Sequence, residues 1–461
     1  MSRTKSDSQV EPPHEYHTLL PDVAAVVPLS CFIFKGTYHL YYTSHDPAQC
    51  VLGHLSSTDL ITWKSMQSNA FSGLRCYGSV VHDHKNISGL GSTTKHPLLA
   101  FYSYQDKIHM SYSLDIGDKW QDLGKNPVLD PGKKGIRDPF VFWHDKSAKW
   151  IMIVVIEHEY KVFFYTSKNL IKWEFLNDFG GHPSFKKKWS HVRMLPMNVE
   201  NQTGVSKWIM IVNDTGEYSE CRYFVGEFDG KRFLCDHALD QVLIIDYSRD
   251  CYAPAIFSQA NHKNVIIPSL MNAAYAGKLP KIGMMGRLGL PRYISLIKDA
   301  DGSYKVIQTP AKEIDVLQGT MMEFAKSGVT HEVEWDFDIQ GSMQLMITVD
   351  SHKGCTLEFD YSSKTKILIN WDFIKKQVYL DRTAKPFGSY PAFQSIDYAP
   401  VGNGHLITFH IFIDKQSIEV FTDHGRVVLS DLIFAAHPLQ RFRIIGKQFS
   451  ASGTVWMMKT K

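Results

Sequence analysis

Residues 189–196 read WSHVRMLP, with an aromatic lead, an apolar end and polar groups between. Ser190, His191 and Arg193 offer a hydroxyl, an imidazole and a guanidinium, and no carboxylate. His191 has an intrinsic pKa suited to acid–base work, a satisfied structural histidine being the plainer alternative. Upstream, Arg137-Asp138-Pro139 sets one carboxylate before a proline, a dipeptide that also makes ordinary turns. Glu217 and Glu220, in TGEYSECRYF, can reach a pocket mouth from a loop as acids, or serve as plain loop charges. The His-Asp-His spacing of HDHK (82–85) is weak evidence for a metal. The seven cysteines have no CxxC spacing, so neither zinc nor a disulfide framework follows. No metal and no cofactor is assigned.

Such groups need a scaffold, and the chain repeats itself. YHLYYTS leads through SSTDLITW to Trp63, IHMSYSLDIGDKW ends at Trp120, KVFFYTSKNLIKW at Trp173, and RYFVGEFDGKRF at Phe233. Short alternating strands at an interval of roughly 55 residues predict four-stranded sheets arranged as a β-propeller, with an irregular sandwich as the alternative. Past residue 325 the pattern becomes long alternating strands such as GSMQLMITVD and HLITFHIFIDKQSIEVFTD. Turns about every ten residues predict a β-sandwich there. The expected layout is all-β: a disordered tail over 1–15, a five-bladed propeller over 16–300, a linker over 301–325 and a sandwich over 326–461.

Composition narrows the function classes. The 461 residues are 44% hydrophobic and 21% charged, an ordinary globular balance. The net charge of +3 gives no reason to invoke nucleic acid or an anionic membrane. The aromatic share of 13% suits a β-rich protein or carbohydrate contacts. The opening MSRTKSDSQVEPPHEYH has no apolar core of a secretory signal, so a cytoplasmic protein is expected.

GIRDPFVFWHDKSAKWIMIVV (135–155) resembles the segment of glycoside hydrolase family 32 built on its Arg-Asp-Pro motif. KGTYHLYYTS, LGHLSSTDLITW, YFVGEFDGKRF, DYSRDCYAPAIF, LPRYISL, LDRT and FIDKQSIEVF resemble further segments of that family in the same order, along nearly the whole chain. The resemblance implies a five-bladed propeller followed by a sandwich, and the chemistry of invertases and fructan hydrolases. That chemistry uses two carboxylates flanking the glycosidic bond, one nucleophile and one acid/base. The family nucleophile lies in a Trp-Met-Asn-Asp-Pro-Asn-Gly segment, of which only Pro28 survives here. The nucleophile position is Val27, beside Leu29. The acid/base glutamate of the family's Glu-Cys-Pro-Asp segment is Ser190. Family sugar contacts are changed too, with Thr43 at a glutamine position and Leu52 at a tryptophan position.

Asp138 keeps the family's transition-state-stabilising position. The resemblance places Arg137, Tyr77, His191, Arg193, Arg222, Glu220 and Asp250 about the ligand. Three readings stay open. The first is a non-hydrolytic relative, a pseudoenzyme or a pocket reused for another small molecule, fructoside-like or an apolar metabolite. The second is an active β-fructofuranosidase with relocated carboxylates. The third is a protein-interaction module.

Overall fold

The structure is a computed structural model that describes residues 26–45, 50–66, 78–185, 187–215, 219–260, 263–272, 274–275, 287–335, 337, 341–384, 393–433 and 437–459. The expected tail over 1–15 lies outside these residues. Among the described residues helix is limited to short 3-10 turns, and none is long and apolar enough to cross a membrane.

Five antiparallel sheets of four or five strands occupy the first two thirds of the chain. Their first strands are Val26–Phe34, Gly78–His82, Ile136–His144, Lys188–Asn198 and Cys251–Ala260. Each first strand touches the first strand of the next sheet, and the fifth touches the first, which closes a propeller ring. These five strands surround the axis, and the sheets are blades 1 to 5.

The repeated tryptophan signature has a local cause. In blade 1 the Asp59 carboxylate accepts the backbone N–H of Ile61 and Thr62, and Leu60 turns left-handed at φ 66°. The Trp63 indole then donates to the Leu60 carbonyl at 2.9 Å. Blade 3 repeats the device with Asn169, Leu170 at φ 62° and Trp173. An Asx turn that satisfies its own backbone ends one blade strand and starts the next. The periodicity thus records a turn chemistry as well as a strand pattern.

The sandwich consists of two six-stranded sheets. Met343, Leu345, Ile347 and Val349 of one strand are all fully buried, alternating with outward residues. They pack in one core with Leu357, Phe359, Ile367 and Ile369 of the other sheet. Alternation at period two is what a two-sheet core requires.

The expected linker over 301–325 is corrected. Tyr304–Pro310 pairs with Arg292–Lys298 as the outer strand of blade 5, and Gln318–Val329 opens the sandwich beside Phe449–Met458. Only the stretch 311–317, largely a 3-10 turn over Lys312–Leu317, joins the two domains. The outer strand buries Val306 and Gln308 on one face and carries Lys305, Ile307 and Thr309 on the other, so each face mixes polar and apolar residues. That half-polar composition is why it reads as a linker.

Two buried arginines bind the domains together. Arg292 of LPRYISL donates to Asp246 at 2.8 Å and to Glu419 of FIDKQSIEVF at 2.6 Å. Arg382 of LDRT donates to Asp250 at 2.5 Å, the Leu432 carbonyl at 2.7 Å and Ser395 at 2.7 Å. Both arginines are fully buried.

Candidate functional site

The axial ends of the blades share an irregularity. Strand register slips at Pro28/Ser30 in blade 1, opposite Asp138 in blade 3, at Ser190/Arg193 in blade 4 and at Tyr252/Ala255 in blade 5. Asp138, His191 and Ala253 have left-handed backbones at φ 54°, 49° and 43°. A bulge re-aims a side chain, and a left-handed non-glycine residue persists only where its surroundings hold it. Three successive blades therefore carry strained residues at matching places about the axis.

The strained residues bond to one another. Asp138 accepts the His191 backbone N–H on Oδ2 at 2.9 Å. The His191 Nδ1 lies 3.1 Å from the Tyr252 hydroxyl, which lies 3.3 Å from Ser190 Oγ. Asn213 supports this group from behind, accepting the Ala253 N–H at 3.1 Å. Asp138, Ser190 and His191 are buried, while Tyr252 is half-buried. The second oxygen of Asp138, Oδ1, is buried with no hydrogen-bond donor among the described residues. A buried carboxylate oxygen left in that state calls for a partner.

Arg193 turns towards blade 1. Its Nη2 donates to the Leu29 carbonyl at 2.7 Å and the Pro28 carbonyl at 3.3 Å, and its Nη1 to the Val192 carbonyl at 3.0 Å. Its guanidinium also sits 5.2 Å from the Phe140 ring centroid. Burial pulls its pKa down, and the Asp138 charge opposes this. Arg193 acts as a strut between blades 4 and 1. Beside those carbonyls, Val27 is fully buried and pairs with Thr43, which pairs with Leu52. Thr43 Oγ1 is itself buried without a hydrogen-bond partner among the described residues.

A second, charged group lies at the same end of blades 3 and 4. Arg137 bonds Glu157 at 2.9 Å, and Lys188 stands 3.5 Å from the same carboxylate. Lys187 pairs with Glu220 at 2.7 Å, and Arg222 contacts both Glu220 and Asp214. Burial pushes the Asp214 carboxyl up to about 7, with Arg222 opposing and Glu220 adding to the rise. Glu220 stays below the usual range despite its burial because Lys187 and Arg222 bracket it.

The structure thus brings Asp138, Ser190, His191 and Arg193 together about the axis with Val27 in the adjoining wall, and sets Arg137, Glu220 and Arg222 in the charged group. Asp250 departs from the ligand expectation. It is fully buried at the domain junction, held by Arg382 and the Tyr275 hydroxyl, because its carboxylate balances a buried guanidinium. Tyr77 and Glu217 lie outside the described residues. Tyr252 and Asp214 escaped sequence reasoning, since Tyr252 gains its role from His191 and Ser190 of the neighbouring blade and Asp214 from residues on adjoining strands. For Tyr252 the resembling segment DYSRDCYAPAIF was the available signal.

Comparison with known proteins fits this architecture. The model for the glycosyl hydrolases family 32 N-terminal domain matches residues 28–310, and that for the family's C-terminal domain matches residues 300–457. A levanase of Bacillus subtilis (strain 168) is 29% identical over 87% of this chain, which spans 63% of that levanase's length. The crystal structure of an exo-inulinase from Aspergillus awamori superposes with a TM-score of 0.86 at 23% identity, covering 98% of this chain and 99% of that one. A β-fructofuranosidase of Schwanniomyces occidentalis, solved with fructosyl-erythritol, gives 0.83 at 23% identity over 98% of both chains.

Proposed function

This chain belongs to glycosyl hydrolase family 32, and on that footing we propose that it is a non-hydrolytic member whose axial site binds a small ligand without cleaving it. One observation carries the reading: at the two positions that the family resemblance gives to nucleophile and acid/base stand a fully buried Val27 and a hydrogen-bonded Ser190. An isopropyl group cannot form the covalent glycosyl intermediate of a retaining mechanism. A serine hydroxyl bonded to Tyr252 has no acidity to protonate a leaving alcohol, a role ordinarily worth about 10²–10⁴ in rate. Arg193 adds to this by tying blade 4 to the backbone that would have carried the nucleophile.

Asp138 remains as the group that would anchor a ligand. Its free Oδ1 suits a hydroxyl donor, so a fructose-bearing polyol is the ligand class this reading favours. A hydrogen bond to a buried carboxylate is worth about 1.5–3 kcal/mol. Calorimetric titration with sucrose and fructose should therefore detect binding that Asp138→Asn weakens at least tenfold. Equal affinities in the two proteins would remove Asp138 from the site.

A second reading has its own observation. Asp214 pairs across the strand with Trp189, next to Ser190, and burial keeps it protonatable near neutrality. It is the carboxyl a relocated general acid would need. No equivalent substitute for the nucleophile stands beside Val27 among the described residues.

A further inference from the structure

The sandwich carries a cluster unrelated to the axial site. Asp350 is an outward residue of the strand Met343–Ser351, and His352 follows two positions later, just past the strand's end. His405 arrives from the opposite side of the chain, immediately before the strand Leu406–Asp414. The backbone bond from Ser351 N–H to the His405 carbonyl, 2.7 Å, fixes it beside the first two. The His405 Nδ1 lies 2.8 Å from Asp350 Oδ1, and the two imidazoles stack with centroids 4.7 Å apart. One ligating atom from each of the three residues lies within 4.8 Å of the others.

We propose that Asp350, His352 and His405 form a binding site for a divalent transition-metal ion of the zinc class. Two imidazoles and one carboxylate are the donor set that borderline-soft ions prefer, and a set built of oxygen alone would suit calcium or magnesium instead. Tetrahedral ligands about 2.1 Å from zinc stand about 3.4 Å apart, so His405 Nδ1 and Asp350 Oδ1, now 2.8 Å apart, must open by about 0.6 Å, and donors as far apart as 4.8 Å must close by about 1.4 Å. All three side chains are exposed and free to rotate that far. The neighbouring cation does not compete, since the Lys353 ammonium is directed to Gln448 at 3.0 Å. His352 also lies in a T-shaped contact with Phe373, ring centroids 6.0 Å apart.

Three protein ligands leave a coordination position open. That position matters because of where the site lies. Gly404 and Leu406, on either side of His405, line a cleft of about 600 Å³ between propeller and sandwich, with Trp371, Asp423 and Arg426. A bound ion would pin the chain segment that forms one wall of this cleft. The proposal is independent of whether the axial site hydrolyses anything.

Calorimetric titration of ZnCl2 into the full-length chain, carrying no histidine tag, tests it. One equivalent should bind, and His352→Ala and His405→Ala should each weaken binding at least tenfold, while His182→Ala at a remote half-buried position should not. Thermal melts without metal establish that the variants fold. With Cu2+ as the probe, the paramagnetic resonance spectrum should show nitrogen coupling that His405→Ala reduces. No binding by the wild type, or binding undiminished in both histidine variants, would overturn the proposal.

Discussion

Replacing Arg382 with methionine is expected to destabilise the protein by about 3–5 kcal/mol, the usual cost of breaking a buried ion pair from one side. The variant would leave Asp250 and Asp431 together in a fully buried space without their guanidinium. Asp431 already has its carboxyl pushed well above the usual range by burial, with Arg382 as the opposing influence. The Leu432 carbonyl and the Ser395 hydroxyl would also lose a donor. Methionine fills the space over Phe393 but replaces none of these bonds. Because Asp250 enters blade 5 and Arg382 belongs to the sandwich, the loss should uncouple the domains. Urea denaturation followed by tryptophan fluorescence should show a lower midpoint, with one transition splitting into two. An unchanged midpoint would mean that the junction is held elsewhere.

Val27→Asp is expected to cost about 3 kcal/mol or more without creating activity. The site is fully buried, and its cross-strand neighbour Thr43 already has a hydroxyl without a partner among the described residues. A carboxylate there has no assigned donor, since the nearby Arg193 is committed to three backbone carbonyls. If the carboxylate drew Arg193 to itself, those carbonyls would lose their partner instead. Even a well-placed nucleophile would face Ser190, which cannot protonate the leaving group. Each tenfold shortfall in rate is about 1.36 kcal/mol of barrier. A thermal melt of the variant together with a fructose assay checks both parts. A variant as stable as the wild type, or one that turns over, would contradict this description of the blade 1 wall.

The sequence carried the architecture well for a physical reason. The Asx turns at Asp59 and Asn169 recur because each blade must reverse its chain in the same way, so the pattern is local and visible. The segments LPRYISL, LDRT and FIDKQSIEVF were legible as family-like, but their purpose was not. Arg292, Arg382 and Glu419 join the two domains, a role set by contacts more than a hundred residues apart. The same distance hid Asp250, which reads as a pocket carboxylate and proves to be a counter-charge. At the axis, the side chains at Val27 and Ser190 could be read from the chain, but the strut from Arg193 and the bond from His191 to Asp138 could not. Both depend on bulges that alternation of residue types does not reveal. Asp350, His352 and His405 were invisible for a simpler reason, since four strands lie between His352 and His405 in the chain.

The most direct test is fructose release from sucrose, raffinose and a short fructan by the purified protein, beside Asp138→Asn and Asp214→Asn. Release equal to the enzyme-free blank for all three proteins is the predicted result. Turnover by the wild type that disappears in Asp138→Asn would contradict the central claim. If that turnover also vanished in Asp214→Asn and fell as pH rose above about 7, Asp214 would be the acid that replaced the missing glutamate.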